Sequence, residues 1–354
     1  MNFCSDNVTS VAPEIAAALD EANRGAAMPY GDDEMTRRLE TRMAEVFETE
    51  LMVFPVATGS AANALALACL TPPYGAVYCH RESHVNLDEC GAPEFFTGGA
   101  KLVALDGAHG KIAADDLEAV LARAGAGVVH HVQPAAISVT QATEAGTVYR
   151  PEHLAALAEV ARRHGLGLHM DGARFANAVV ALGLSPADLT WRAGVDVLSF
   201  GATKNGAMAA EAVVFFRPEL AKEFAFRRKR AGHLFSKMRF LSVQLDAYLA
   251  DDRWRRYAAH ANAMMARLKQ GLTALPGARL EHPVEANEIF ITLPPAVIDG
   301  LLADGFRFYR WGDEDATLVR LMTGFDTRPE DVDALIAAAR RHAAALVAAE
   351  AGGG

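Results

Sequence analysis

Short apolar segments alternate with helical patterns from about residue 50 to residue 216, and this alternation is the feature that most limits the possible fold. Such alternation is typical of a mostly parallel sheet covered by helices on both faces. Several of the segments are continuously apolar, as strands buried on both faces are. We therefore expect an α/β fold with seven strands at 52–56, 76–79, 101–105, 127–133, 167–170, 195–200 and 212–216.

The character of the chain changes after Pro218. A basic stretch at 227–230 is followed by a long helical region to about residue 274. Beyond it, we expect strands at 288–292, 306–311 and 317–323, and then a closing helix with apolar residues at helical spacing. The sequence thus predicts a large domain over residues 1–240, which includes an N-terminal arm, and a small α+β domain over residues 241–354.

Charge and cysteine content limit the partners and the compartment. The net charge is −10, so a nucleic acid or an anionic membrane surface is repelled overall, and we expect neither as a partner. Four cysteines without a CxxC pair do not make a disulfide framework, and a reducing compartment fits them best. No signal sequence and no apolar run of spanning length is present, so we expect a cytoplasmic protein.

Three segments carry chemistry at the ends of expected strands. Asp171 follows one buried strand, and Lys204 follows the next strand among small residues. Open α/β sheets bind ligands at the carboxyl ends of their strands, and a lysine placed there can form an imine. The small-residue turn 57–63 runs from a strand into a helix, where free N–H groups suit a phosphate.

Together these groups describe a site for pyridoxal 5'-phosphate, in which the lysine holds the aldehyde and the aspartate keeps the pyridine nitrogen protonated. None of them is specific alone. Asp171 could instead cap a helix over 173–181, Lys204 could be a solvated loop lysine, and the segment 58–60 could simply begin a helix.

Longer motifs extend this pattern over nearly the whole chain. The chain resembles the low-specificity L-threonine aldolases, a family of the aminotransferase-like (fold type I) pyridoxal phosphate enzymes. The resemblance rests on SDNVT at 5–9, YGDD at 30–33, TGS at 58–60, SH at 83–84, HMDGAR at 169–174, TKNG at 203–206, MR at 238–239 and RLM at 320–322. It implies a carbon–carbon lyase that cleaves L-threonine, L-allo-threonine and related β-hydroxy-α-amino acids reversibly to glycine and an aldehyde.

The resemblance also assigns cofactor roles. It implies that Lys204 is the Schiff-base lysine, that Asp171 pairs with the pyridinium, and that His84 stacks on the ring. His84 could also take the proton of the substrate's β-hydroxyl group, since an imidazole suits both roles near neutral pH. The implied phosphate ligands are Thr58, Gly59 and Ser60.

Substrate and subunit roles follow from the same resemblance. Ser5, Arg174 and Arg320 would hold the α-carboxylate, for which guanidinium forks are well matched. The residues alone leave a surface ion pair for Arg174 and an outward strand position for Arg320 as alternatives. Tyr30, for the substrate, and Arg239, for the cofactor, match positions that reach a neighbouring subunit's site. The resemblance therefore implies at least a homodimer, with a homotetramer as the expected assembly.

One segment departs from a common pattern of the family. Many members carry an acidic-Asn-Thr-His stretch near the substrate hydroxyl, whereas this chain reads SVTQATEAG over 138–146. A second active-site histidine is therefore in doubt, and Thr143 could take its place.

Other functions compete with this hypothesis. A β-eliminating lyase on an amino acid uses the same lysine and ring, and differs in which bond at Cα is aligned. A zinc hydrolase is a remote alternative, but HExxH and paired CxxC are missing, so we expect no metal. A nicotinamide dehydrogenase lacks its GxGxxG turn, and a non-catalytic scaffold leaves Asp171 and Lys204 unexplained. The set that raises the zinc hypothesis is Cys79, His80, His84, Asp88, Glu89 and Cys90.

Overall fold

The computed structural model describes the backbone of residues 1–313 and 316–352. The helices are α1 Pro13–Ala22, α2 Glu34–Phe47, α3 Gly59–Leu70, α4 His84–Leu87, α5 Ala92–Thr97, α6 Ala114–Leu121, α7 Pro151–His164, α8 Phe175–Leu182, α9 Phe224–Arg230, α10 Arg239–Leu249, α11 Arg253–Thr273, α12 Pro295–Ala303 and α13 Pro329–Gly352. The strands are β1 Met52–Val56, β2 Gly75–His80, β3 Lys101–Leu105, β4 Gln133–Thr140, β5 Gly167–Gly172, β6 Val197–Gly201, β7 Glu211–Phe215, β8 Arg279–Leu280, β9 Glu288–Thr292, β10 Tyr309–Arg310 and β11 Leu318–Met322.

The large sheet has seven strands in the order β1-β7-β6-β5-β4-β2-β3. The strands from β3 to β6 in this order pair in parallel, whereas β7 is antiparallel to both β6 and β1. Strand β1 therefore runs in the same direction as β6, and six of the seven strands end at one edge. The predicted α/β class with a mostly parallel seven-stranded sheet is confirmed, and functional groups that follow these strands share that edge.

One strand was placed wrongly from the sequence. We expected a strand at 127–133, but the strand in this region is β4, Gln133–Thr140. Gly127 has a φ of +79°, and its N–H donates to Gln133 Oε1 at 2.7 Å, so the preceding residues form a closed turn. The apolar side chain of Val129 is 91% exposed there. The valine-rich composition indicated a strand, but the turn directs these valines into solvent.

The smaller sheet is antiparallel, with the order β10-β11-β9-β8. Helices α11, α12 and α13 contribute to its own apolar core, which Phe3 from the N-terminal arm also enters. The arm is bound through its backbone, because Phe3 N–H donates to Arg307 O at 2.7 Å and Met322 N–H donates to Phe3 O at 2.9 Å. The predicted domain boundary at residue 240 stays a prediction. In the part of the chain that the structure describes, no helix is long and apolar enough to cross a membrane.

A carboxylate with two arginines joins α2 to α10. Asp246 is nearly buried and accepts from Arg38 Nε at 2.8 Å and from Arg42 Nε at 2.6 Å. A buried charge is stable only when it is paired, so this contact holds α10 in one orientation against the helix before β1.

We expect Asp246→Asn to lower the free energy of unfolding by about 2 kcal/mol, because it leaves two arginines beside a neutral amide. Urea denaturation measures this loss. The matched control is Asp20→Asn, whose carboxylate is 75% exposed and pairs with Arg24 at 3.2 Å, and which should change stability by less than about 0.5 kcal/mol. Equal effects of the two substitutions would contradict the prediction.

Candidate active site

Groups from three strands meet in one cavity at the carboxyl edge of the large sheet. This inner cavity has a volume of about 320 Å³. It brings together all six residues of this chain that were predicted to bind the cofactor within the same subunit. Its lining includes Thr58, Gly59, Ser60, His84, Asp171 and Lys204.

The first turn of α3 offers free N–H groups to the inner cavity. Thr58 is the N-cap residue, and its Oγ1 accepts from Ala61 N–H at 3.2 Å. The N–H groups of Gly59 and Ser60 have no acceptor among the described residues. A Cβ built on Gly59 would meet no atom within 4 Å, so the space beside this turn is open. An open helix N-terminus with two free donors suits a phosphate.

Asp171 is buried at the end of β5, where it is 3% exposed. Its Oδ2 accepts from Asn63 Nδ2 at 2.8 Å, and its Oδ1 accepts from Ala173 N–H at 3.0 Å. It does not cap the following helix, because α8 begins at Phe175 with Arg174 in the N-cap position. A buried carboxylate with only neutral donors is suited to a cationic ligand group such as a pyridinium.

A hydrogen-bond chain connects Asp171 to His84. Asn63 Nδ2 also donates to Glu89 Oε1 at 2.8 Å, and His84 Nδ1 lies 2.9 Å from the same oxygen. The hydrogen bond with Glu89 raises the pKa of His84, and burial raises the pKa of Glu89. Sequence reasoning considered Glu89 only as a zinc ligand, although its place five residues after His84 was the available signal.

Lys204 lies in a short 3-10 turn, Thr203–Asn205, between β6 and β7. Its ammonium group has no hydrogen-bond partner in the described parts of the chain, and its charge acts to lower the pKa of Glu211. Burial outweighs that effect and raises the pKa of Glu211 to about 7. Glu211 Oε2 accepts from Ala202 N–H at 3.0 Å. The sequence analysis missed Glu211, which reads as one polar residue at the start of an apolar strand.

A second, outer cavity of about 580 Å³ adjoins the first, and the two share Asn7, His84, Glu144 and Lys204. All three residues expected to bind the substrate carboxylate from this chain line the outer cavity: Ser5, Arg174 and Arg320.

Both arginines already have carboxylate partners. Arg174 is 5% exposed and donates from Nε to Asp6 Oδ2 at 2.7 Å and from Nη2 to Asp6 Oδ1 at 3.0 Å. Arg320 forms an ion pair with the buried Glu288. Arg174 is therefore not in a surface ion pair, and Arg320 is directed into the site region. Within the described residues the Nη1 group of each arginine has no acceptor, so both can still receive an anion.

Tyr30 and Arg239 are not brought to this site. Neither residue lines the inner or the outer cavity. Tyr30 is 49% exposed, and Lys229 Nζ lies 4.9 Å from the centre of its ring. Arg239 begins α10, and its guanidinium carbon lies 4.9 Å from the centre of the Phe240 ring.

In the segment 138–146, which departs from the family pattern, Glu144 rather than Thr143 lines the site. Thr143 is fully buried, and its Oγ1 lies 2.9 Å from Thr147 Oγ1. It lines neither cavity, whereas Glu144 lines both. The expectation that Thr143 replaces a second histidine finds no contact to support it. Glu144 was not among the predicted site residues, although it stands in the segment that departs from the family pattern.

The zinc hypothesis finds no supporting geometry. Over residues 1–313 and 316–352, no three His, Cys, Asp or Glu side chains come together in a way that could hold a metal ion. All four cysteines are free thiols.

Comparison with known proteins then assigns the family. The family model described as "Beta-eliminating lyase" matches residues 2–294. The chain belongs to the beta-eliminating lyase family. This family uses pyridoxal 5'-phosphate, and the inner cavity with its free helix N-terminus, buried carboxylate and unpartnered lysine fits that cofactor.

Named relatives of the family cover almost the whole chain. It is 46% identical over 330 residues to a low specificity L-threonine aldolase of Pseudomonas aeruginosa, covering 93% of this chain and 94% of that protein. A low specificity L-threonine aldolase of a Pseudomonas species is 44% identical over 336 residues, covering 95% and 96%. A solved structure of Leishmania major threonine aldolase superposes with a TM-score of 0.90 at 28% identity, covering 96% of this chain and 98% of that one.

We expect Glu89→Gln to lower the pKa of His84, since the hydrogen bond to the carboxylate is the largest cause of its rise. The imidazolium then loses its proton at lower pH, with the pKa returning toward about 6.5. NMR titration of the histidine ring signals measures this change. As a control, Glu118→Gln removes a surface carboxylate that lies 2.9 Å from His164 Nε2, and it should leave His84 unchanged. An unaltered His84 pKa in Glu89→Gln would refute the assignment.

Proposed function

We propose that the protein cleaves L-threonine, L-allo-threonine and related β-hydroxy-α-amino acids reversibly to glycine and an aldehyde. The observation that carries this proposal is the junction of two cavities, one with Lys204 and Asp171 and the other with Arg174 and Arg320. An amino acid that binds across this junction has its amino group near the lysine and its carboxylate near the arginines. The names of the two Pseudomonas relatives support the same reaction.

The inner cavity supplies the cofactor contacts. Lys204 would hold the cofactor's aldehyde group, Asp171 would keep the pyridine nitrogen protonated, and the free N–H groups of the α3 N-terminus would bind the phosphate together with Thr58 and Ser60. The bound cofactor supplies an electron sink for the pair released at Cα. His84 would cover the ring, and its hydrogen bond to Glu89 fixes the orientation of the imidazole.

The outer cavity orients the substrate. Arg174 and Arg320 each keep an Nη1 group for the α-carboxylate, and Ser5 adds a hydroxyl group. Holding the carboxylate at one place determines which bond at Cα is aligned with the electron sink, and alignment of the Cα–Cβ bond gives retro-aldol cleavage.

A second copy of the chain would complete the site. Tyr30 and Arg239 line neither cavity of their own chain, and Tyr30 is half exposed. We propose that Tyr30 reaches the substrate and Arg239 the cofactor in a neighbouring subunit, in a homodimer or a homotetramer. The cytoplasm is the proposed compartment, which the four free thiols support.

A β-elimination is the second candidate function, because the matching family model carries that description. Elimination removes the Cα proton and a leaving group on Cβ, and its products are a 2-oxo acid and ammonia. Product analysis separates it from the proposed cleavage, which gives glycine and an aldehyde.

We expect the purified yellow protein to release glycine from L-threonine, L-allo-threonine and phenylserine but not from the D-isomers. Lys204→Ala should lose at least about 10³-fold in rate, because the covalent route is removed. Borohydride reduction followed by peptide mass mapping should place the cofactor on Lys204. A reduced cofactor on another lysine, or a 2-oxo acid and ammonia instead of glycine, would reject the proposal.

Arg174→Lys and Arg320→Lys should each raise KM and lower kcat, since one ammonium cannot replace a guanidinium that binds two anions. A loosely held carboxylate misaligns the Cα–Cβ bond, and displacement on the order of 1 Å can cost ~10²-fold in rate. Steady-state kinetics on L-threonine measures both constants. Arg267→Lys, in a bidentate surface pair with Asp333 at 2.6 Å, is the matched control and should be unchanged. Wild-type kcat/KM in both site variants would assign the arginines a structural role only.

A further inference from the structure

Glu144 occupies a fixed position in a short turn after β4. Thr143 Oγ1 accepts from Ala145 N–H at 3.3 Å and from Thr147 N–H at 3.2 Å, and Gly146 N–H donates to Thr143 O at 3.0 Å. Thr147 Oγ1 in turn donates to His109 O at 2.7 Å. The hydrogen bonds of the two threonines thus close the turn, and they fix the backbone from which the Glu144 side chain extends.

The Glu144 carboxyl group lies where the inner and outer cavities meet. It is one of only four residues that line both cavities, with Asn7, His84 and Lys204. No hydrogen-bond donor among the described residues contacts it. Asp6 binds Arg174 and Asp171 binds Asn63, whereas Glu82 and Asp88 have no side-chain partner in the described chain but line the outer cavity alone. Glu144 is the carboxyl group that lines both cavities, and it too has no hydrogen-bond partner among the described residues.

Its surroundings favour the protonated form of this carboxyl group more than water does. Burial raises the pKa of Glu144, and the nearby carboxylates act in the same direction, whereas the positive charges oppose them. The charged groups that face it are Arg174, Lys204, Asp171, Glu288 and His84. A carboxylate with a raised pKa is a stronger proton acceptor than an exposed one.

We propose that Glu144 accepts the proton of the substrate's β-hydroxyl group, a role that rests on the proposed retro-aldol function. The O–H bond breaks and its proton moves to the Glu144 carboxylate, while the O–H electron pair forms the aldehyde C=O bond. The Cα–Cβ bond breaks and its electron pair stays with Cα. Cα then takes up one proton from solvent and Glu144 gives its own proton to solvent, so the protons balance and the step needs no further reactant.

This assignment gives His84 a different task. The Nδ1 side of His84 is held by Glu89, and His84 lines both cavities, as Glu144 does. His84 then contributes a flat surface over the cofactor. His84→Phe, which keeps that surface and has no proton acceptor, separates the two residues.

The experiment compares holoenzymes of wild type, Glu144→Gln, His84→Phe and the control Glu152→Gln, whose exposed carboxylate lies in the first turn of α7. Three quantities are measured: cofactor affinity from its absorbance, exchange of the glycine α-hydrogen with D2O by NMR, and kcat/KM over pH 5 to 9 on L-threonine and L-allo-threonine. Glycine exchange needs the cofactor, Lys204 and the carboxylate contacts, but it has no β-hydroxyl group.

We expect Glu144→Gln to keep cofactor affinity and glycine exchange within about threefold of wild type. Its kcat/KM for cleavage should fall by ~10²–10⁴-fold, because the proton acceptor is removed. The acidic limb of the pH profile should disappear as well. His84→Phe should keep the acidic limb of the pH profile, because it leaves the Glu144 carboxylate in place whatever rate it loses through weaker contact with the cofactor. The proposal is overturned if Glu144→Gln cleaves both substrates at wild-type rates, or if it loses glycine exchange as much as cleavage. Failure of the proposed function is seen separately, because wild type would then release no glycine from either substrate.

Discussion

A buried ion pair between Arg174 and Asp6 holds together the three parts of the chain that form the site. Arg174 follows β5 of the large sheet, Asp6 belongs to the N-terminal arm, and Asn287 Nδ2, next to β9 of the small sheet, donates to Asp6 Oδ2 at 3.1 Å. Burial acts to raise the pKa of Asp6, but the Arg174 charge outweighs it and holds that pKa below its usual value. Two buried charges are stable only in this arrangement, so the pair fixes the arm and both sheets relative to the outer cavity.

A buried acid must be either paired with a cation or protonated, and this requirement explains why several acids can surround Lys204. Asp6, Glu144 and Glu211 all lie near enough for Lys204 to lower their pKa values, yet burial raises the pKa of the latter two overall. Ionised acids would weaken the binding of a phosphate and a carboxylate at this site, because like charges repel. The acids are tolerated because Arg174 neutralises Asp6, whereas burial favours the protonated forms of Glu144 and Glu211.

The sequence predicted the parts of the structure that depend on local pattern and order along the chain. Asp171 and Lys204 could be placed because each follows an apolar run, and parallel neighbours end at the same edge. The strand at 127–133 was wrong, since the geometry of the turn at Gly127 overrides the β propensity of its valines. Glu144 could not be chosen over Thr143, because the direction of two adjacent side chains depends on how the turn folds.

Side-chain contacts between residues far apart in the chain could not be predicted from the sequence either. Nothing in the segment around Arg320 indicates that Glu288 is its partner, because their pairing comes from the antiparallel register that sets Arg320 opposite Phe290 and brings the acid of β9 within reach. Glu89 could not be predicted for the same reason, since its hydrogen bonds to Asn63 and His84 join α3, α4 and the bend between α4 and α5.

The backbone contacts of the N-terminal arm determine the order in which parts of the protein can form during synthesis. Phe3 is bound by Arg307 and Met322, which lie more than 300 residues later in the chain. During synthesis the large sheet can form as soon as its last strand, β7, leaves the ribosome, because domains fold as units from the N-terminal side. The arm that carries Ser5 and Asp6 then has no place to bind until β11 emerges. Each newly made chain therefore has all the strands of the large sheet before it has a carboxylate pocket, and catalytic competence waits for β11.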